Sequence, residues 1–163
     1  MSTQLSAPVK TYVGRTVDYL AFDDAKAAGD TLLTQTLVLP GQSGALITGI
    51  EKLVQRFLLE LLTEQGSLEY DVNRGTLFIT HIRAGYIRTS QDLISAFNAA
   101  EVVLRNNLRL EEDVKKDPAD ERYQTATLIN ATLTGDQAYL KIQILSVAGT
   151  SRTVIYPLRI TAI

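Results

Sequence analysis

Three β-rich segments follow one another at the C-terminal end of the chain, and short turns join them. The segments cover residues 123–133, 138–147 and 153–163, and the joins are residues 134–137 and 148–151. Parallel strands need a crossover of about a dozen residues or more, so strands with such short joins must be antiparallel. The sequence therefore predicts a C-terminal three-stranded meander.

One segment upstream has the strongest helical pattern in the chain. Between about residues 49 and 64, apolar residues recur at three- and four-residue spacing, which predicts an amphipathic helix whose stripe faces the core. Thr48 and Glu51 match a capping box, and Gly66 is placed to close the C-terminus. The stripe consists of Ile50, Leu53, Val54, Phe57, Leu58, Leu61 and Leu62.

A second helix is predicted from about residue 90 to residue 108, with Thr89 and Asp92 as its cap pair. The β-branched and aromatic segment 77–87, between the two helices, is predicted to form one or two brief strands. The segment 110–122 is rich in Asp, Glu and Lys around Pro118, which indicates a solvated connection. This segment lacks the residue order of a calcium loop.

The N-terminal part is predicted to hold two extended segments, 11–22 and 31–39, separated by the turn-prone Asp23–Asp24 and Gly29–Asp30. We divide the chain into an N-terminal extension, 1–45, and an α+β domain, 46–163. The predicted fold class is α+β, with two amphipathic helices packed on a mainly antiparallel sheet that ends in the meander.

Composition excludes several classes of function. Sixteen basic and eighteen acidic residues give a net charge of -2 without a long block of one sign, so no nucleic-acid partner is expected. The absence of cysteine excludes disulfides and thiol nucleophiles. The most apolar segment, 50–62, is interrupted by charges, so no membrane span is expected.

The residues that could support catalysis are few. His81 is the single histidine, and no Gly-x-Ser-x-Gly elbow or phosphate loop occurs, so we expect no triad, metal or cofactor and interpret His81 as a partly buried imidazole beside a strand. Glu69 and Asp71 are the one candidate acid pair for a glycosidase. A solvated turn is the preferred interpretation of that pair.

Several features occur in an order that resembles a known family. They are Leu62, Thr63, Gly66, Tyr70 and Gly75 after the first helix, then Asp120, Glu121 and Arg122 after the second, and then the meander. This order resembles the baseplate wedge or sheath-initiator family of T-even-type contractile phage tails, which also occurs in related contractile injection systems. The similarity covers about residues 46–163. The family has Glu-Pro-Arg where this chain has Asp120, Glu121 and Arg122, so the proline is missing.

The resemblance implies a structural role in the tail baseplate of a virion, after assembly in the host cytoplasm. Several copies would surround the tube and contact wedge proteins and the tail sheath protein, with the tube or hub protein as a further candidate. No nucleic acid, membrane, cofactor or small-molecule substrate is implied. Wedge docking is assigned to Asp120, Glu121 and Arg122. Strand addition to the sheath is assigned to Thr153, Val154, Ile155, Tyr156, Leu158 and Ile160.

Alternatives remain for each assignment. Pro157 cannot donate to a ladder, which favours an edge position, but the last strand could equally complete the sheet of its own domain. Arg122 could be an ordinary surface arginine. A peptidoglycan-degrading muramidase of the baseplate, the activity for which Glu69 and Asp71 are candidates, is the enzymatic alternative, and a host-protein adaptor of the same fold is a third.

Overall fold

The computed structural model describes residues 15–19, 22–26, 33–37 and 46–160. In chain order its elements are β1 (Asp18–Tyr19), β2 (Phe22–Lys26), β3 (Leu33–Leu37), β4 (Leu46–Ile47), α1 (Ile50–Leu62), α2 (Phe78–Arg83), α3 (Ser90–Lys115), β5 (Tyr123–Thr134), β6 (Gln137–Ser146) and β7 (Ser151–Arg159). The fold class is α+β, as predicted.

Five strands form the main sheet, in the order β2-β3-β7-β6-β5. The C-terminal meander is confirmed, because β5 pairs antiparallel with β6 and β6 pairs antiparallel with β7. The hairpin of β2 and β3 lies within the predicted N-terminal extension, and β3 joins the sheet by a parallel pairing of Thr34 with Ile155. A separate short ribbon is made by β1 and β4.

The two long helices pack against the meander, with α3 along β5 and α1 against β6 and β7. On β6 the alternate residues 138, 140, 142 and 144 are buried, whereas Lys141 and Gln143 are exposed. This alternation is the pattern of a strand with one face on the core and one face in solvent. The aromatic centre of the core is Phe57, which stacks on Tyr123 at 5.7 Å between ring centroids and meets Phe97 at 6.4 Å.

The first helix has the predicted core face but not the predicted ends. Leu53, Val54, Phe57, Leu58 and Leu61 are buried, and Ile50 and Leu62 are partly buried against them. The capping box is absent, because Gly49 is the N-cap, at φ +64°, without a side-chain cap. The C-cap is Thr63, in an extended conformation, so Gly66 lies beyond the helix end rather than at it.

The second long helix starts where predicted and ends later. Thr89 accepts a hydrogen bond from the Asp92 N–H, and the Asp92 carboxylate accepts from the Thr89 N–H, which completes the capping box. The helix continues past residue 108 to Lys115 and stops at Lys116, which is left-handed at φ 55°. Part of the predicted connection 110–122 is therefore helical.

Two further predictions of local structure are wrong. The segment predicted as brief strands contains α2, because Phe78 and Ile82, one helical turn apart, are both buried in the core. His81 is half-buried on this helix, edge-on to Tyr86, rather than beside a strand. The predicted turn Asp23–Asp24 lies within β2. The end of the last predicted strand, 161–163, and parts of the predicted N-terminal strands lie outside the described residues.

The two predicted caps provide a matched pair of substitutions. Thr89→Ala removes the N-cap acceptor of α3 and should lower the free energy of unfolding by about 1 kcal/mol. Thr48→Ala should cost less than about 0.5 kcal/mol, because Thr48 only accepts a hydrogen bond from the exposed Arg15 and caps no helix. Urea unfolding followed by circular dichroism measures both. Equal losses in the two variants would contradict the observed caps.

Candidate functional site

The segment that carries Asp120, Glu121 and Arg122 connects α3 to β5 and is fixed by backbone hydrogen bonds. The Glu121 N–H donates to the Pro118 carbonyl at 2.9 Å, and the Val147 N–H donates to the Arg122 carbonyl at 2.9 Å. The second bond ties the segment to the turn between β6 and β7. The backbone of the three predicted docking residues is therefore held in place by hydrogen bonds. Their side chains differ in burial and in their partners.

Glu121 has a fully buried side chain, at 0% exposure, and all its contacts are within the chain. Its carboxylate accepts hydrogen bonds from Lys52 Nζ at 2.9 Å, from the Thr16 hydroxyl at 3.1 Å and from the Gly49 N–H at 3.2 Å. Because Gly49 is the N-cap of α1, this carboxylate stabilises the positive end of the helix dipole. In this conformation the Glu121 side chain is therefore not exposed to a wedge partner.

Asp120 is partly exposed and also has a partner within the chain. Its Oδ2 accepts a hydrogen bond from Arg15 Nη1 at 2.5 Å, and the same nitrogen donates to the Thr48 hydroxyl at 3.2 Å. A Cβ on Gly49 would lie 2.9 Å from Asp120 Oδ2, so only glycine allows this close approach. Asp120 thus holds the N-terminal segment against the start of α1.

Arg122 is the member of the three that offers charge to solvent. Its side chain is 39% exposed, and its Nη2 donates to Asp113 Oδ1 at 2.6 Å, where the Asp113 side chain is 69% exposed. Its buried Nε has no hydrogen-bond partner. The ion pair lies at the surface, where such pairs contribute little to stability, so a competing carboxylate could replace Asp113.

The N-terminal segment at this site was not predicted. Besides Arg15 and Thr16, Asp18 takes part, since its Oδ2 accepts from Gln55 Nε2 at 3.1 Å. Lys52 donates to the Thr16 hydroxyl as well as to Glu121. Arg15 and Asp120 are 105 positions apart, and no spacing in one sequence reports such a pair.

The charged segment after residue 110 is only partly the solvated connection that was predicted, because residues 113–116 are exposed and other residues are buried. Glu112, Asp117 and Glu121 are buried, and Arg56 of α1 lies among them, with its Nη1 3.1 Å from Asp117 Oδ2 and 3.7 Å from Glu112 Oε1. The Glu112 carboxylate also accepts from the Tyr123 N–H at 2.8 Å. One arginine thus joins α1 to the end of α3 and to the start of β5.

The acids around Arg56 have opposite pKa shifts. Burial raises the pKa of Glu112, and the charge of Asp117 adds to the rise, although the Tyr123 N–H and Arg56 oppose it. Burial also acts to raise the pKa of Glu111. There, however, the hydrogen bond from Lys115 and the charges of Arg56 and Arg74 outweigh burial and hold the pKa below its ordinary value.

A cavity of about 380 Å³ lies beside this network, and most of the residues that line it carry polar or charged side chains. It is lined by Glu60, Asp71, Asn73, Arg74, Asn107, Leu108, Leu110 and Glu111. Glu60 accepts hydrogen bonds from Arg74 at 2.8 Å, from the Gly75 N–H at 2.9 Å and from Asn107 at 3.1 Å. The one buried carboxylate that lines this cavity, Glu60, is thus bound by donors of the chain itself.

The candidate glycosidase pair does not form a site in this structure. Glu69 and Asp71 are both exposed and lie in turns, which confirms the preferred interpretation of a solvated turn. Only Asp71 borders the cavity, and it accepts a hydrogen bond from the Asn73 N–H. The acid that faces it, Glu111, has a lowered pKa, whereas a general acid needs a raised one.

The position of β7 in the sheet decides between the two interpretations of the last strand. β7, to which strand addition was assigned, lies inside the sheet, with β6 on one side and β3 on the other at Ile155. Its residues therefore complete the chain's own sheet, which was the alternative interpretation. Within the described strands the edges are β2 and β5. β5 contains no charged residue between Gln124 and Thr134.

The free energy of unfolding distinguishes the buried ion pair of Glu121 from the surface ion pair of Arg122. Glu121→Ala leaves Lys52 and the Gly49 N–H without their acceptor and should lower the free energy of unfolding by roughly 3 kcal/mol. Asp113→Ala removes only a surface pair and should cost less than about 1 kcal/mol. Urea unfolding of the two variants beside the wild type provides the comparison. A Glu121→Ala variant as stable as Asp113→Ala would contradict the buried role.

Comparison with known proteins gave no relative. No family profile, no curated protein and no solved structure matches this chain. Among the described residues there is no cluster of three or more acids or histidines that could hold a metal ion. The helices in the described part are all too short or too polar to cross a bilayer. The function is therefore argued from the geometry and from the sequence resemblance.

Proposed function

We propose that this chain is a structural subunit of a contractile tail baseplate, which docks to wedge proteins and offers a sheet edge to the first sheath subunits. The order of sequence features supports this role, as does the α+β fold with its C-terminal meander. Both activities of such a subunit depend on surfaces rather than on a catalytic centre. The structure contains one candidate surface for each.

The observation that carries the proposal is the edge strand β5. It is 12 residues long, no described strand pairs with its outer side, and it has no charged residue. Natural edge strands are commonly protected by charges, by proline, by β-bulges or by a covering element. β5 has two irregularities, at Tyr123/Thr125 and at Leu128/Asn130, which leave regular stretches between and after them.

An open edge of this kind suits strand addition. A partner strand would pair with the free backbone N–H and C=O groups, and alternate side chains would determine which partner fits. The β-branched Thr125, Thr127 and Thr132 favour an extended partner on this edge. We therefore move the proposed strand-addition site from β7 to β5, since β3 already covers part of β7.

Of Asp120, Glu121 and Arg122, the proposed wedge-docking residue is Arg122. Of the three assigned residues it alone pairs with an acid that is mostly exposed, Asp113. A carboxylate on a wedge protein could bind the planar guanidinium in place of Asp113, with two parallel hydrogen bonds. Asp120 and Glu121 would support this role indirectly, because they hold the backbone of the segment in place.

The muramidase alternative has no specific observation in its favour. Its candidate acids are an exposed pair in turns, and two acids of the neighbouring cavity, Glu60 and Glu111, are bound to Arg74. The muramidase hypothesis predicts clearing of cell walls that is lost in Glu69→Gln and Asp71→Asn variants. Clearing with this dependence would replace the structural proposal.

Strand addition is tested by placing charge on the edge. Thr127→Lys combined with Thr132→Lys puts two cations on β5, and co-sedimentation with purified sheath protein should fall by at least about tenfold in apparent affinity. Gln143→Lys is the matched control, because Gln143 is exposed and pairs with Thr127 but lies on the interior strand β6. The control should bind like the wild type. Normal sheath binding by the double variant would rule out the β5 edge.

Wedge docking is tested with a pair of surface arginines. Arg122→Ala should retain the fold but weaken co-sedimentation with wedge proteins by at least about tenfold, as removal of a central interface arginine does. Arg159→Ala is the control, because Arg159 also forms a surface ion pair, with Asp136. Wedge binding by the Arg122 variant at the level of the Arg159 variant would remove Arg122 from the site.

A further inference from the structure

The N-terminal residues Arg15–Asp18, here named the strap, lie on a polar cleft formed by Lys52, Gln55, Asp120 and Glu121. The strap is not part of the core, since the core cluster contains no described residue before Ile50. Arg15, Thr16 and Val17 are exposed, so the strap buries little apolar surface. Side-chain hydrogen bonds and the two-residue ribbon that β1 forms with β4 contribute to holding it.

The contacts between strap and cleft are specific in chemistry. Arg15 donates to Asp120, the Thr16 hydroxyl donates to Glu121 while it accepts from Lys52, and Asp18 accepts from Gln55. Each group of the cleft thus meets a strap group of the complementary kind. The strap groups that make these contacts are an arginine, then a hydroxyl, then a carboxylate two residues later.

We propose that this cleft is a peptide-binding site, and that the strap occupies it in cis. The occupant from outside is an extended segment of a partner protein that carries the same arginine, hydroxyl and carboxylate spacing. The charge complementarity seen with the strap supports this choice. The docking of such a partner requires the strap to leave, so the strap is an autoinhibitory contact.

The strap competes strongly for the cleft because it is covalently linked to the domain. A covalently linked segment acts at a high effective concentration, so a free peptide competes poorly while the strap is intact. The Arg15–Asp120 pair is partly exposed and the ribbon has two residues, so both contribute little free energy, and we expect substitution of Arg15 and Thr16 together to release the strap. That the partner is a wedge protein rests on the proposed function, but binding of the peptide needs only this chain.

The experiment uses the full chain and a synthetic peptide of residues 11–21 with a fluorescent label. In the opened variant, with Arg15→Glu and Thr16→Val, the cleft should bind the peptide saturably in fluorescence anisotropy. The wild-type chain should bind it at least about tenfold more weakly, because its own strap competes. The same peptide with Arg15→Ala should lose most of its affinity for the opened variant.

Controls within the chain locate the binding. Asp120→Asn in the opened variant should weaken the peptide by at least about tenfold, and Asp113→Asn, which changes an acid that pairs with Arg122 instead, should have no effect. The proposal would be overturned if the peptide did not bind a folded opened variant. It would also be overturned if Asp120→Asn left the affinity for the peptide unchanged. Circular dichroism checks the fold, and the milder Arg15→Ala replaces the opened variant if that unfolds.

If both variants unfold, the strap is a structural part of the domain and the proposal is overturned. The outcome is separate from that of the proposed function. A chain that binds the peptide but neither wedge nor sheath protein keeps the cleft and loses the baseplate role. A chain that co-sediments with sheath but ignores the peptide keeps the baseplate role and loses the cleft.

Discussion

The hydrogen bonds of the buried Glu121 carboxylate bring together the N-terminus of α1, the strap and the start of β5. The carboxylate meets the N-terminus of α1 at Gly49, the side chain of Lys52 and the strap at Thr16, while the backbone of Glu121 leads directly into β5. A buried ion is costly unless every lone pair is satisfied, and here three donors satisfy it. The start of α1 and the start of β5 are therefore held together by one side chain, and the strap binds the same carboxylate through Thr16.

Arg56, one helical turn after Lys52 on α1, also neutralises acids, at the end of α3 and in the segment that connects α3 to β5. The segment after residue 110 brings Glu111, Glu112 and Asp117 together, and without a cation these acids would repel one another at close range. Arg56 supplies the charge for all three, and Arg74 shares Glu111. Ion pairs thus hold the polar face of α1, while its apolar face packs in the core.

The sequence predicts the elements that depend on local pattern and misses those that depend on long-range partners. The stripe of α1, the Thr89–Asp92 box and the meander follow from spacing, capping chemistry and loop length, and all are present. Gly49 replaces the Thr48 cap because Asp120 and Glu121, far away in sequence, meet the start of α1. The charged segment 110–122 was predicted to be solvated, since composition alone does not reveal that Arg56 neutralises it.

The same distinction explains why the predicted site residues separate into different roles. Asp120, Glu121 and Arg122 are adjacent in sequence, but only Arg122 pairs with an exposed acid. Likewise, the last strand has the composition of an edge, yet β3 from the N-terminal part pairs with it and leaves β5 as the uncharged edge. β5 starts at the residue after Arg122. The proposed wedge-docking residue and the proposed strand-addition edge are therefore adjacent along the chain. A partner that bound Arg122 would thus lie at the start of the edge that a second partner extends.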